Sequence, residues 1–261
     1  MLYFIDMKQE TNIAVVKKIM IEFAESTGLS NAEKSPRRYL WTDAFAVCNF
    51  LELDRQTGDE SWRNLALRLV DQVHSTLGRH REDDPRTGWI SGRAEEDGRR
   101  HPTVGGLRIG KQINERRPGE PYDDRLEWDP DGQYYHYLTR WMHALNRVSR
   151  SMGNPIFNFW AMELAKAAHA GFVHALPDGS KRMYWKMSID LSHSLVPSMG
   201  LHDPLDGWIT YHQLQATAMV FSKAPGLDLN TEIDDLAALC KGKNWATEDP
   251  LGIGGRYRPV T

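Results

Sequence analysis

Three stretches of the chain join an aromatic side chain to one, two or three carboxylates: Trp41-Thr42-Asp43, Glu127-Trp128-Asp129-Pro130-Asp131 and Asp203-Pro204-Leu205-Asp206-Gly207-Trp208. Paired carboxylates are what glycosidic bond cleavage requires, one protonated to deliver a proton to the leaving oxygen and one ionised to activate water or attack carbon. Trp and Tyr faces stack on the CH surface of a sugar, and nine Trp and nine Tyr supply such faces in quantity. A plainer reading stands beside this one. Asp before Pro opens a helix well, because the carboxylate accepts hydrogen bonds from exposed amides and Pro is preorganised for the first helical position. That reading suits Asp129, Asp203 and Asp249. Asp43, Glu127 and Asp206 sit less obviously at a cap. The catalytic candidates are Asp43, Glu127, Asp129 and Asp206, and Asp203 joins the ligand-binding set.

Histidines form a second group. His136 and His143 are seven residues apart on one helical face, with Tyr134, Tyr135 and Tyr137 beside them, and His202 precedes Asp203. No HxxxH or HExxH spacing occurs, so no metal and no cofactor is expected. His136 reads as an acid-base or hydroxyl-binding partner, and His74 and His169 as structural residues. Trp41, Trp128, Tyr135, His136, His202, Trp208 and Trp185 are the expected ligand-binding side chains, with Arg108 and Lys111 placed to neutralise an anionic group such as a uronate. Gly105-Gly106-Leu107-Arg108-Ile109-Gly110 has neither the strand before it nor the helix after it that a phosphate loop needs. No Gly-x-Ser-x-Gly elbow is present.

These residues need helices to position them, and helical spacing dominates. Apolar positions predict helices over Thr11 to about Thr27, about Thr42 to Thr57, about Asp59 to Leu77, about Asp131 to Arg150, Leu205 to Ser222 and about Asn230 to Lys241. The second is apolar on most sides and belongs inside; the third carries Trp62, Leu65, Ala66, Leu69, Val70 and Val73 on one stripe and faces solvent on the other. Gly58-Asp59-Glu60-Ser61-Trp62 with Ala66, Leu69 and His74 aligns without gaps on Gly153-Asn154-Pro155-Ile156-Phe157 with Ala161, Leu164 and His169, at a constant offset of 95 residues. His202-Asp203-Pro204-Leu205 is echoed 46 residues later by Glu248-Asp249-Pro250-Leu251. The reading is an all-α chain of about three and a half helical hairpins forming an incomplete α/α toroid, one domain over 1–261, with long irregular loops at one end. The 80–128 stretch is a lid or functional loop within it. Leu176 to Gly200 holds a β-hairpin arm or aromatic loop around Lys181–Met187.

With 261 residues the chain can bury a core without disulfides. A formal charge of -3, with acids around each Arg pair, predicts no nucleic-acid partner. No run reaches membrane-spanning length, so no membrane partner is expected. Cys48 and Cys240 support neither a disulfide scaffold nor a cysteine metal site, which fits a cytoplasmic protein.

Trp41-Thr42-Asp43-Ala44-Phe45, followed by Leu51-Glu52-Leu53 and Thr57-Gly58-Asp59-Glu60-Ser61-Trp62, resembles the six-hairpin glycosidase superfamily, which includes unsaturated glucuronyl and rhamnogalacturonyl hydrolases, with sugar 2-epimerases on a similar toroid. The resemblance covers Trp41 to Leu77, and the rest only as architecture. It implies a funnel holding two acidic residues, matching Asp43 by motif and Asp129 or Asp206 by place. Six hairpins need a longer chain, so the toroid is expected to be open, shortened or completed by another subunit; an open bundle exposes apolar faces that favour a homodimer. The expected function is a carbohydrate-active enzyme, a glycoside hydrolase acting on a small oligosaccharide or uronide. The alternatives are a sugar epimerase or isomerase, and a non-catalytic binding module or terpenoid-cyclase-like protein on an α/α barrel.

Overall fold

In a computed structural model, residues 2–246 are described apart from 32, 118, 124–125, 197, 199, 201 and 222–226, with side chains from residue 12 onward. The Glu248–Gly252 echo, Asp249 included, lies outside the described residues. Eight helices carry the described fold, and no helix among these residues is long and apolar enough to cross a membrane.

The hairpin frame follows from the turn chemistry. Helices α2 (Leu40–Thr57) and α3 (Glu60–Leu77) form one hairpin, α5 (Tyr135–Met152) and α6 (Pro155–Phe172) the next. Both helices of the second pair begin and end 95 residues after their counterparts. The turns match as well. Gly58 and Gly153 close α2 and α5 in the left-handed region, at φ 67° and 62°, where a side chain would be strained. Asp59 and Asn154 follow as N-caps, accepting from Ser61 N–H at 3.0 Å and Ile156 N–H at 3.1 Å. The repeat in the sequence is therefore a repeat in structure.

A third hairpin pairs α7 (Asp203–Phe221) with α8 (Asn230–Cys240). The inner helices lie side by side in chain order, α2 against α5 and α5 against α7, and the described residues establish this arc of three. The core is continuous through it, with Phe50, Trp141, Tyr135, Tyr211 and Phe172 fully or almost fully buried. Long helix α1 (Leu2–Ser26) packs on α2 through Ile13, Met20, Phe23 and Ala24. Val15 and Ile19, apolar and on the expected spacing, are instead more than half exposed.

Three elements differ from the sequence reading. The inner helix expected from Asp131 opens at Tyr135. Its preceding residues are used otherwise: Gly132 is at φ 144°, and strand β1 (Gln133–Tyr134) pairs antiparallel with β4 (Lys186–Met187), which pairs with β5 (Ser194–Val196). Asp129 is accordingly not a helix cap. Lys181–Met187 is not one arm: β3 (Lys181–Met183) pairs back on β2 (Val173–Ala175) in a separate sheet. The 80–128 stretch contains a short helix α4 (Glu95–Arg100) and a 3-10 turn at Leu126–Trp128. It is anchored in the bundle by buried Leu107 and Ile109, Ile109 N–H donating to Gly132 O at 2.8 Å and accepting through its own carbonyl from Leu40 N–H at 3.0 Å. Gly106 lies so close to the Gln133 amide that an added Cβ would sit 2.0 Å from it.

Candidate functional site

The openings of α2, α5 and α7 meet at one end of the arc, and aromatic rings mark the place. Trp41 from α2 lies 5.8 Å from the His136 ring and 5.0 Å from Tyr137, both at the start of α5. Because β1 pairs with β4, Tyr134 is brought 5.0 Å from Trp185, and His136 lies parallel to Trp185 at 6.3 Å. Trp128 stands 4.7 Å beyond Trp185. Tyr39 and Tyr137 share a 2.7 Å hydroxyl contact at the rim. Arg140, one turn after His136, lies 5.8 Å from the Trp41 ring and reaches Asp206 of α7 at 3.2 Å.

Asp203 is the carboxyl closest to this cluster. It is buried at the first position of α7, its Oδ1 3.9 Å from His136 Nδ1, and its Oδ2 has no hydrogen-bond partner among the described residues. Burial, then the charge of Asp206, raises its pKa to about 8 against the pull of Arg140. At neutral pH it is mostly a carboxylic acid. Burial, then the Arg140 guanidinium, lowers His136 to about 4, so its imidazole is neutral. The 3.9 Å contact is therefore between two neutral groups, an acid and a potential base, and not an ion pair.

The other expected acids are committed elsewhere. Asp43 accepts from Tyr39 N–H at 2.9 Å and faces Arg38 at 3.6 Å with both side chains buried. Burial lifts its pKa to about 7, opposed by Arg38 and that amide. Arg38 in turn donates to Thr27 O at 2.8 Å, so the group ties α2 to the end of α1. Glu127 is buried between Arg116 Nε at 2.9 Å and Lys186 Nζ at 3.3 Å. Lys186, fully buried, also donates to the carbonyls of Glu127 at 2.6 Å and Pro130 at 3.0 Å; burial lowers its pKa, opposed by Glu127. Asp129 is exposed in the loop. The residue beside it, Asp131, is fully buried and holds Arg108 at 3.0 Å, Arg81 at 3.3 Å and Gly110 N–H at 2.9 Å.

That arrangement also accounts for Arg108, whose remaining donors go to Arg79 O and Thr76 O. It is a brace between loop and bundle, with no donor group of its guanidinium turned to a ligand. Lys111 differs: its Nζ lies 5.6 Å from the Tyr134 ring. Tyr135 belongs to the core, its hydroxyl donating to Tyr211 at 3.1 Å. Trp208 packs on His212 one turn along α7, and His202 lies 6.2 Å from Trp245. His74 accepts from Trp141 Nε1 at 3.2 Å in the core, and His169 pairs with Asp235 of α8 at 3.0 Å.

Of the expected site residues, the structure brings together Trp41, His136, Asp203, Asp206, Trp185 and Trp128, and sets Asp43, Glu127, Arg108 and Tyr135 apart in buried contacts of their own. Arg140 was not among those expected. Its signal was available: four residues from His136 on a helix places it on the same face. Among the described residues no group of three or more His, Cys, Asp or Glu is arranged to hold a metal ion. No protein-family model, curated protein or solved structure matches the chain.

Proposed function

We propose that the protein is a carbohydrate-active enzyme, a glycoside hydrolase of small oligosaccharides, working where the openings of α2, α5 and α7 meet in an incomplete α/α toroid. One observation carries this reading: Asp203 is a buried acid, protonated at neutral pH, set against His136 and a wall of aromatic rings. A general acid for glycosidic cleavage must hold its proton at working pH and give it to the leaving oxygen as the bond breaks. Asp206, one turn along the same helix and held by Arg140, is the second carboxylate, which takes the proton of the attacking water or attacks the anomeric carbon itself. Trp41, Tyr137 and Trp185, each partly exposed, supply the stacking surface. Of the two cations expected to meet a uronate, Lys111 is the one available, since Arg108 is held by Asp131 and backbone carbonyls.

Release of new reducing ends from a panel of oligosaccharides, lost in Asp203→Asn, is the test. Absence of turnover by the wild-type protein on every member sinks the hydrolase. His136 favours a second reading. A neutral imidazole next to a protonated carboxyl is also the base and acid pair of an epimerase. Product analysis separates the two, because epimerisation changes configuration without releasing a reducing end. Binding without turnover identifies a binding module, and uptake of a terpenoid in place of any glycan identifies a cyclase-like protein. Exposed Val15, Ile19 and Phe45 on α1 and α2, with Met219 and Val220 on α7, are the surfaces a homodimer would cover, which sedimentation tests directly.

A further inference from the structure

We propose that the ligand is a chain of at least two sugar rings and that Trp128 is the platform for a ring beyond the one at Asp203. This rests on the carbohydrate reading of that site. Trp128 is 54% exposed, yet the turn carrying it is fixed from within, because its neighbour Glu127 is buried and held by Arg116 and Lys186. A large aromatic side chain is thus displayed on a rigid support and not left on a loose loop. It is not isolated. Leu126 and Ile113 on the same segment are also more than half exposed, and Tyr122, 43% exposed, lies under the Arg116 guanidinium at 5.8 Å.

The direction of this surface argues for its occupant. From the Asp203 carboxyl, His136 is reached at 3.9 Å, Trp185 lies parallel to the His136 ring at 6.3 Å, and Trp128 follows at 4.7 Å. These contacts link the acid to Trp128 through two intervening rings, with the Trp128 and Trp185 planes at 69° to one another. Lys111, between Asp129 and the Tyr134 ring, lies beside them with Asp129 as polar neighbours for hydroxyl groups. Next to these rings Trp128 keeps more than half of its surface open to solvent, and an indole face of that kind fits the CH surface of a second sugar ring.

The test measures calorimetric affinity of the full-length protein for β-1,4-linked gluco-, manno- and xylo-oligosaccharides and α-1,4-linked galacturono-oligosaccharides of one to four rings, and KM for those of two rings or more. For the preferred series, the calorimetric Kd is expected to fall on the order of tenfold when the chain extends past the first ring, as one aromatic contact of about 1 kcal/mol or more allows. Trp128→Ala is expected to flatten that dependence on ring number, and Trp128→Phe to restore most of it. Equal affinity for one ring and for several, or a ring-number dependence untouched in Trp128→Ala, overturns the extended site and leaves the Asp203 reading intact. No binding or turnover of any member, with Asp203→Asn indistinguishable from wild type, overturns both.

Discussion

The openings of α2 and α7 each bury an aspartate and each raise its pKa, Asp43 to about 7 and Asp203 to about 8, but the two do different work. Asp43 has its backbone amide from Tyr39 and its guanidinium from Arg38, and it fastens two helices. Asp203 has a second carboxylate and a neutral imidazole beside it, and each of the two aspartates keeps one oxygen without a hydrogen-bond partner among the described residues. Burial is the largest cause of the shift in both places, joined at Asp203 by the charge of Asp206. In the proposed function it is the company each acid keeps that separates the two, since perturbed acids occur in structural networks as well as in active sites.

The comparison is broken most directly by exchanging each acid for its amide. Asp203→Asn is expected to lower kcat/KM by about 10^3-fold, the range for loss of a general acid, with little change in melting temperature; Asp43→Asn should fold less stably and keep its turnover per folded molecule. If Asp43→Asn is the inactive one, the roles are reversed. Next in size, Asp43→Ala is expected to destabilise by about 3 kcal/mol in urea, because it leaves the buried Arg38 without its carboxylate. Replacing Arg38 with Met in the same chain should recover much of that loss.

The pH response sharpens the contrast further. With Asp203 protonated below about 8, kcat/KM should fall as pH rises through about 8; in the epimerase reading, where His136 is the base and is neutral above about 4, it should also fall on the acid side, a limb that His136→Gln should remove while lowering the plateau by about tenfold. Stability runs differently. Both aspartates bind a proton more tightly folded than unfolded, so their contribution is full below the ordinary carboxylate range. It is lost as pH rises through about 7 for Asp43 and about 8 for Asp203. Urea titrations from pH 4 to 9 should show the slope shrink in either amide variant. The smallest effect belongs to the turns: Gly58→Ala and Gly153→Ala should each cost about 1 kcal/mol, and unequal costs would weaken the view that the two hairpins are copies.

The hairpin frame was legible because its signals are local. Left-handed glycine, N-cap and apolar stripe lie within a few residues of one another, and the 95-residue offset recurs in the helix limits. The site was legible in part. That the helix openings converge follows from alternating hairpins, and Trp41, His136 and Asp206 could be named. The surroundings of the acids were not legible, however: Asp203 reads as a cap and as one candidate acid among five, and spacing does not show that it meets His136 or that Asp43 is buried against Arg38. Nothing near Asp43 in sequence announces that Arg38 folds back over it, and Glu127 meets Lys186 only because strand pairing brings together residues 59 apart. The opening of α5 was misplaced for the same reason, as Gln133 and Tyr134 spend their backbone on a strand partner far along the chain.

The tight glycine turns and the long connections lie at opposite ends of the hairpins, which separates scaffold from specificity. Segments 78–132 and 173–202 both leave and rejoin at the aromatic end, so either could lengthen, shorten or be exchanged between related chains while the helical scaffold stayed intact. Such a layout lets one architecture acquire new ligand preferences by loop grafting. It also marks the α2–α3 and α5–α6 turns as the quiet pole, suited to a tag, a dye or a surface tether that should leave the working end undisturbed.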